Sequence, residues 1–310
     1  MDTPPQHYEP GNGHPILDRL FDHTLLHQRR SRALAAFEPG ADFLVRRIAE
    51  DMADRLSVVE RQFENPVQVH GGLPLAAELM KATGKAADFT YVDMCPVPGT
   101  AAGSQTFAEP DLVPLEPASA DLLVSPLALH VTNDTPGALV QMRRALKPDG
   151  LLLAAVPGSG TLGELRESLL AAESELTGGA NARVHPFADI RDYGALLQRA
   201  GFALPVADID DIVVRYGDMF ALLRDLRAMG MTSILIDRSR KPLNKQVFLR
   251  AAQIYAERFS DADGRIRASF PVIHLSGWAP HENQQKPLRP GSAKARLADA
   301  LKTPEQKLPR

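Results

Sequence analysis

Two polar side chains suited to proton transfer follow a short apolar run near the middle of the chain. His130 and Asp134 come after Leu122–Val124, a run that is typical of a buried strand. Ligands of open α/β sheets bind beyond the carboxyl ends of the strands. His130 could therefore act as a general base at that edge, with Asp134 beside it. The alternative is that His130 only fixes the loop through a hydrogen bond.

A second polar group follows the next apolar run, Leu151–Val156. Thr161, Glu164 and Arg166 come soon after it, so they belong to the same predicted edge of the sheet. Arg166 could hold a carboxylate or a client peptide. A helix-surface ion pair between Arg166 and Glu164 is the plainer alternative. The candidate catalytic residues are His130, Asp134 and Arg166.

Metal binding has little support in the sequence. The chain has no cysteine pair and no His-x-Glu-x-x-His motif, and its nine histidines are scattered. An iron hydroxylase would need two histidines and one carboxylate on a facing edge. His130, Asp134 and His185 could supply these ligands only if the fold brings them together. We therefore predict no metal site.

Asp93 ends a β-rich run, Phe89–Asp93, about 20 residues after the pair Gly71-Gly72. In nucleotide-binding α/β folds, an acid at this position accepts hydrogen bonds from ribose hydroxyls. Asp93 is therefore a candidate ligand-binding residue. The alternative is an acid that only ends a strand.

A strand–helix–strand pattern between residues 120 and 158 would position these groups. Pro136–Leu146 has apolar residues at helical spacing and basic residues near its carboxyl end. Pro148-Asp149-Gly150 ends that helix, and the apolar run after it is typical of a buried parallel strand. Such a unit is a crossover of an open sheet. We therefore predict an α/β fold with a mostly parallel sheet and helices on both faces.

Amphipathic helices are predicted on either side of this unit. Ile16–Phe63 is helical in pattern, with the basic cluster Arg29-Arg30-Ser31-Arg32 in the middle. That cluster is either a solvated helix face or a contact for an acidic partner or a ligand. Asp218–Met229 and Pro242–Phe259 are also helical in pattern and precede an alternating strand, Arg267–Leu275. We therefore predict a helical insertion before the last strand.

Residues 121–134, DLLVSPLALHVTND, and residues 144–150, RALKPDG, resemble the fourth and fifth strands of class I S-adenosylmethionine (SAM) methyltransferases. The resemblance implies a Rossmann-like fold, SAM as the cofactor and methyl transfer as the activity. The family's glycine loop aligns with Val67–Pro74, where Gly71-Gly72 remains but His70 and Pro74 replace glycines and Gln68 replaces an acid. Since a Cβ obstructs the approach of the ligand, we expect weak SAM binding.

The same resemblance implies roles for acids near the second and third strands. Asp93 would bind the ribose, and Glu109 or Asp111, within a third-strand region at residues 107–115, would face the adenine amino group. The candidate cofactor-binding residues are Gly71, Gly72, Asp93, Glu109 and Asp111.

Several shorter motifs resemble one branch of this superfamily. They are TLGELR at 161–166, HPF at 185–187, DLRAMG at 225–230 and GW at 277–278. The branch contains the mitochondrial complex I assembly factor that hydroxylates an arginine of its client subunit, and its bacterial homologues. Methyltransferases that act on malonyl carrier protein are more distant. This resemblance implies a protein client, plausibly a subunit of a respiratory complex.

The sequence divides into four predicted stretches. They are a disordered N-terminus at 1–15, a helical extension at 16–63, a methyltransferase-like domain at 64–280 with its insertion at 218–259, and a basic flexible tail at 281–310. The insertion and tail exceed what a minimal small-molecule methyltransferase needs, which favours a protein client. A pocket closed by the helices, with a tail that only aids solubility, is the alternative.

Composition bounds the location and the partners. Apolar residues make up 44% of the chain, and the net charge of −3 gives no reason to expect a nucleic-acid partner. The single cysteine suits a reducing cytoplasm. We find no signal sequence and no apolar run near the roughly 20 residues that cross a bilayer. We therefore expect a cytoplasmic protein without direct membrane insertion.

Three functions remain open on the sequence. The first is a SAM-dependent methyltransferase with a degenerate glycine loop and a protein or small-molecule acceptor. The second is a complex I assembly factor with an activity of the arginine-hydroxylase type. The third is a non-catalytic scaffold that has lost SAM binding.

Overall fold

A computed structural model describes residues 19–284, which form one sheet with helices on both faces. Its strands are β1 Pro66–Val69, β2 Thr90–Asp93, β3 Gln105–Phe107, β4 Ala120–Pro126, β5 Leu146–Pro157, β6 Ala203–Tyr216 and β7 Ile266–Trp278. Its α-helices are α1 His23–Ala35, α2 Phe43–Ser57, α3 Leu75–Ala82, α4 Thr135–Ala145, α5 Gly163–Thr177, α6 Ile190–Arg199, α7 Met219–Ala228 and α8 Lys245–Phe259.

The strand order of the seven-stranded sheet is β3-β2-β1-β4-β5-β7-β6. Strands β1 to β5 pair in parallel, whereas β7 is antiparallel to both β5 and β6. Helices α1 and α2 precede the sheet, and α7 and α8 lie between β6 and β7. The predicted Rossmann-like fold is confirmed, including its helical N-terminal extension and its insertion before the last strand.

The central strands are apolar on both faces because helices cover both faces. Leu122 and Leu151 pack into a cluster with α2, α3, α5, α7 and α8. The next residue of each strand, Leu123 and Leu152, packs into a second cluster with α4 and α6. This double burial explains why the sequence shows continuous apolar runs instead of alternation.

The third strand differs from the expected region at residues 107–115. Strand β3 ends at Phe107, and the residues that follow form a turn and loop. Pro110 and Pro114 lie in that loop, and proline has no N–H group to donate to a strand ladder.

The pairing of β1 with β2 fixes the geometry of the ligand edge. Val69 pairs with Val92, so Gly71-Gly72 and Asp93 lie at neighbouring strand ends. The predicted stretch 1–15 and all but the first residues of the stretch 281–310 lie outside the described residues. The remaining domain boundaries stay predictions. Within residues 19–284, no helix combines the length and the apolar character that crossing a membrane requires.

Candidate active site at the carboxyl edge of the sheet

A cavity of about 130 Å³ lies at the carboxyl edge of the sheet. Its floor includes Gly71 and Gly72, which follow β1, and Pro126, which ends β4. The roof is mainly apolar and comes from α1 and from α7 with the segment after it; its side chains include Leu26, Leu34, Phe37, Leu226, Met229 and Met231. The N-terminal extension and the insertion therefore close over the edge where ligands of this fold bind.

Backbone hydrogen bonds tie the two parts of this roof together. The Asp22 N–H donates to the Ile234 carbonyl at 2.9 Å, and the Ile236 N–H donates to the Leu20 carbonyl at 3.0 Å. Arg238 lies 3.4 Å from the Asp22 carboxylate. These contacts hold α1 and the residues before it against the segment after α7.

His130 lies in a short 3-10 helix, Leu129–Val131, directly after β4 and lines the cavity. Its Nδ1 is buried and has no hydrogen-bond partner within the described residues. The ring keeps part of its surface accessible, yet burial holds its pKa well below the usual value, and the charges of His185 and Arg30 lower it further. His130 is therefore neutral near pH 7, the form that can accept a proton.

His185 lies near His130 but has a structural contact of its own. Its Nε2 accepts a hydrogen bond from the Ile234 N–H at 2.9 Å, and its ring centroid lies 5.1 Å from that of Phe21. Burial, with a smaller contribution from the charge of Arg29, lowers the pKa of His185 to about 4. His185 thus anchors the segment after α7 as a neutral ring.

Asp134 caps helix α4. Its carboxylate accepts a hydrogen bond from the Gly137 N–H at 2.8 Å, and its side chain is not among those that line the cavity with His130. Among residues 19–284, no group of three or more His, Cys, Asp or Glu side chains could hold a metal ion. The structure therefore does not bring His130, Asp134 and His185 together as iron ligands.

Arg166 lies outside the cavity and supports the backbone of a residue that lines it, His185. Its Nη2 donates to the His185 carbonyl at 2.6 Å. The alternative ion pair with Glu164 is not formed, because Glu164 instead accepts hydrogen bonds from the backbone and side chain of Ser269. Arg166 lines a neighbouring cavity and not the one that contains His130.

Asp93 is buried, and its carboxylate accepts hydrogen bonds from two backbone amides. One carboxylate oxygen accepts from the Gly72 N–H at 2.8 Å, and the other accepts from the Cys95 N–H at 3.0 Å. Asp93 therefore clamps the glycine turn onto β2. A ribose would have to share or displace these contacts.

Asp111 and Glu109 lie beside α1. Asp111 accepts hydrogen bonds from the backbone of Asn133 at 2.6 Å and of Asp134 at 3.1 Å. His23 of α1 has its Nδ1 3.7 Å from Asp111 and 3.8 Å from Glu109, whose side chain is largely exposed. Asp111 and Glu109 therefore lie near the same histidine, but neither of them lines the cavity.

His70 replaces a glycine of the family loop and keeps a left-handed backbone, with φ of 56°. Its buried Nε2 lies 2.9 Å from the Leu112 carbonyl, whereas its Nδ1 has no partner in the described part of the chain. Burial lowers its pKa. Gln68, in place of the usual acid, donates to the Leu73 carbonyl and accepts from the Ala77 N–H, so its amide braces the turn from within.

Sequence reasoning named the basic cluster on α1 but did not single out Arg30. Arg30 lines the cavity, and its Nη1 is buried without a hydrogen-bond partner within residues 19–284. The charge of Arg30 lowers the pKa of both His70 and His130, and His130 lines the same cavity as Arg30, whereas His70 does not. Arg30 Nη1 and His130 Nδ1 both line this cavity without a partner in the described part of the chain, which favours a polar or anionic ligand.

A sheet of this order, with a glycine turn after β1 and an acid at the end of β2, defines the class I methyltransferase fold. A sequence profile described as "Methyltransferase domain" matches residues 72–154. A solved structure from Bacillus halodurans, titled as a candidate methyltransferase, superposes with a TM-score of 0.50 at 12% identity, over 75% of this chain and 99% of that one. At this identity the likeness concerns the fold alone.

Curated relatives narrow the class to a branch. The arginine-hydroxylase NDUFAF5 of Danio rerio is 33% identical over 91% of this chain and 90% of its own length. A shorter match to the same-named protein of Dictyostelium discoideum, 43% identical, covers 60% of this chain and 42% of that protein. The malonyl-[acyl-carrier protein] O-methyltransferase of Laribacter hongkongensis is 30% identical over 84% of this chain and 90% of its own. The chain belongs to the class I SAM-dependent methyltransferase superfamily, in the branch that contains the NDUFAF5 proteins.

The relatives also correct one expectation. The expected plain cytoplasmic location is wrong, because the NDUFAF5 relatives are named as mitochondrial proteins. The expectation relied on a single cysteine, and cysteine usage does not distinguish one reducing compartment from another.

Proposed function

We propose that this protein transfers a methyl group from SAM to a side chain of a client protein that enters the cavity at the carboxyl edge. The single observation that carries the proposal is that Arg30, whose Nη1 has no partner within residues 19–284, lines one cavity with Gly71-Gly72 and the neutral ring of His130. These groups meet where the superfamily holds its methyl donor and acceptor.

The amino-acid end of SAM fits the residues present. The buried Nη1 of Arg30, which has no partner among the described residues, suits a carboxylate, because a carboxylate accepts charge-assisted hydrogen bonds from guanidinium. The position of a Cβ at Gly72 is open, so the turn can approach a ligand closely there. Arg30 and the glycine turn would therefore hold this end.

The adenosine end fits less well, which supports weak binding. His70 fills the position of a glycine, and both oxygens of Asp93 already accept from backbone amides. The cavity of about 130 Å³ is also smaller than the roughly 300 Å³ at the low end for drug-sized ligands. Binding of the whole cofactor would require the roof over the cavity to shift.

His130 supplies the proton chemistry in this proposal. SAM carries an activated methyl group, so the protein needs mainly to position the acceptor and, where the acceptor is protonated, to remove a proton. The Nδ1 of neutral His130, which has no partner in the part of the chain that the structure describes, can accept that proton. The mainly apolar lining of the cavity disfavours the charged form of the His130 ring.

A protein client is supported by the elements that cover the site. Helices α1, α7 and α8 are additions to the sheet, and two of them contribute to the roof. The NDUFAF5 relatives carry a name that denotes action on arginine, a protein side chain. We propose a respiratory complex subunit as the client.

The test is methyl transfer from methyl-labelled SAM to respiratory-complex proteins taken from cells that lack this protein. Wild type should label a protein band, and His130→Gln should reduce the rate about 100-fold or more, the lower end of general-base effects. Asp134→Ala is the matched control if Asp134 only caps α4. SAM binding without any labelled product would contradict the proposal.

A second candidate is an assembly factor for such a client that acts without methyl transfer, through arginine hydroxylation or binding alone. The engaged carboxylate of Asp93 and the buried ring of His70 favour it, because both occupy the adenosine side. This candidate predicts client binding that is the same with and without SAM. Client binding that requires SAM would contradict it.

A further inference from the structure

Strand β6 forms one edge of the sheet and has an unusual surface for an edge strand. It is 14 residues long, and β7 is the one strand that pairs with it among the described residues. Four of its large apolar side chains are about half exposed: Leu204 51%, Val206 54%, Ile209 47% and Val213 53%. Long apolar edges expose unpaired N–H and C=O groups and tend to pair with another strand.

The two faces of β6 differ in how they are covered. On one face Asp208 pairs with Arg55 and Asp210 with Arg47, both from α2. On the other face Ile209, Asp211 and Val213 remain exposed within residues 19–284. Asp211 has no ion-pair or hydrogen-bond partner among these residues, so the free face carries one unpaired acid between two apolar side chains.

A complementary charge lies four residues further along the strand. Arg215 contacts Asp261 at 2.7 Å and Asp263 at 2.5 Å, and Arg265 and Arg267 contact the same two acids at 3.8 and 3.5 Å. Three guanidinium groups therefore share two carboxylates. The cluster has one positive charge in excess, which matches the unpaired Asp211.

We propose that β6 binds a second copy of this chain, strand β6 pairing with β6 antiparallel about a two-fold axis at Val213. This register places Asp211 of each copy opposite Arg215 of the other and Val213 opposite Val213. Opposite charges at facing positions stabilise a strand pair, and like charges destabilise it. The paired residues are 210–216 in both copies.

The neighbouring registers are less favourable. An axis at Asp210 or at Asp211 places that carboxylate opposite the same carboxylate of the second copy. An axis at Ile209 places Asp208 of one copy opposite Asp210 of the other, which again pairs two negative charges. An axis at Ile212 leaves Arg215 opposite Ile209 and Asp211 opposite Val213. An axis at Val214 sets Asp211 opposite Gly217 and Arg215 opposite Val213. The axis at Val213 is therefore the one of these registers that sets Asp211 opposite Arg215.

Cysteine cross-linking tests this geometry on the full-length protein. In antiparallel strands, facing Cα atoms lie about 4.5 to 5.5 Å apart, which is within the range that a disulfide spans. Val213→Cys should therefore give a covalent dimer under mild oxidation. Val140→Cys, at a similarly exposed position on α4, is the control and should stay monomeric, since the native Cys95 is buried.

Sedimentation of the reduced protein tests the interface without a cross-link. Wild type should be a dimer, and Val213→Lys, which sets two ammonium groups on the axis, should dissociate at least 10-fold more readily, whereas Val140→Lys should not. Asp211→Arg should also weaken the dimer, and adding Arg215→Asp should restore it. A monomeric wild type would overturn the proposal whatever else covers the edge, and so would a dimer that Val213→Lys leaves intact.

Discussion

Replacement of Asp93 by alanine separates its two possible roles, a clamp on the glycine turn and a ligand for ribose. The carboxylate accepts from Gly72 at 2.8 Å and from Cys95 at 3.0 Å, and the residue is 1% exposed. Alanine leaves both amides without this acceptor in a buried place. A hydrogen bond to a charged group contributes about 1.5–3 kcal/mol, so the expected loss of unfolding free energy is at least about 3 kcal/mol.

Thermal unfolding measures this loss directly. A loss of about 3 kcal/mol should lower Tm by about 6–12 °C for a domain of this size. Asp88→Ala is the matched control, because Asp88 carries an 88% exposed side chain and should leave Tm unchanged. An Asp93→Ala protein as stable as this control would refute the clamp. Asp93→Asn keeps one acceptor oxygen, so it should lie between wild type and alanine.

Three further substitutions test the site and its supports. Gly71→Ala should destabilise the fold, as measured by urea unfolding, since the new Cβ would lie 2.5 Å from the Gln68 side-chain nitrogen; a fully stable variant would contradict this packing. Hydrogen bonding to Arg183 lowers the pKa of Glu173 to about 2. The pair should therefore add about 2 kcal/mol to the unfolding free energy above pH 4.5, and this contribution should be lost as the pH falls toward 2. Glu173→Gln should flatten that pH dependence. Burial lowers the pKa of His185 to about 4. The buried neutral ring should therefore contribute to the unfolding free energy above pH 6.5, and this contribution should be lost as the pH falls from 6.5 to 4. His185→Gln should remove this slope of unfolding free energy against pH.

The fold could be predicted from the sequence because its signals are local. The continuous apolar run of β5 predicts a strand buried on both faces, and the spacing in α4 predicts a helix. The short β3 could not be located in this way, since its three residues make too weak a pattern.

The site could be predicted only in part. The position of His130 after a strand indicates the ligand edge, whereas the contacts of Asp134 and Arg166 depend on which groups the fold brings near them. An Asp-Thr-Pro sequence at the start of a helix is itself a cap signal and favours the role that Asp134 has. The absence of a partner for Arg30 within the described residues is a tertiary property, so no spacing in the sequence reveals it.

Calorimetric titration with SAM tests the central claim most directly. The account predicts weak but measurable binding to the wild-type protein. Arg30→Gln should weaken it about 10- to 100-fold, the equivalent of one charge-assisted hydrogen-bonding group. Arg32→Gln, at an exposed position on the same helix, should bind as wild type does. The absence of binding to wild type, or equal affinity in Arg30→Gln, would contradict the account.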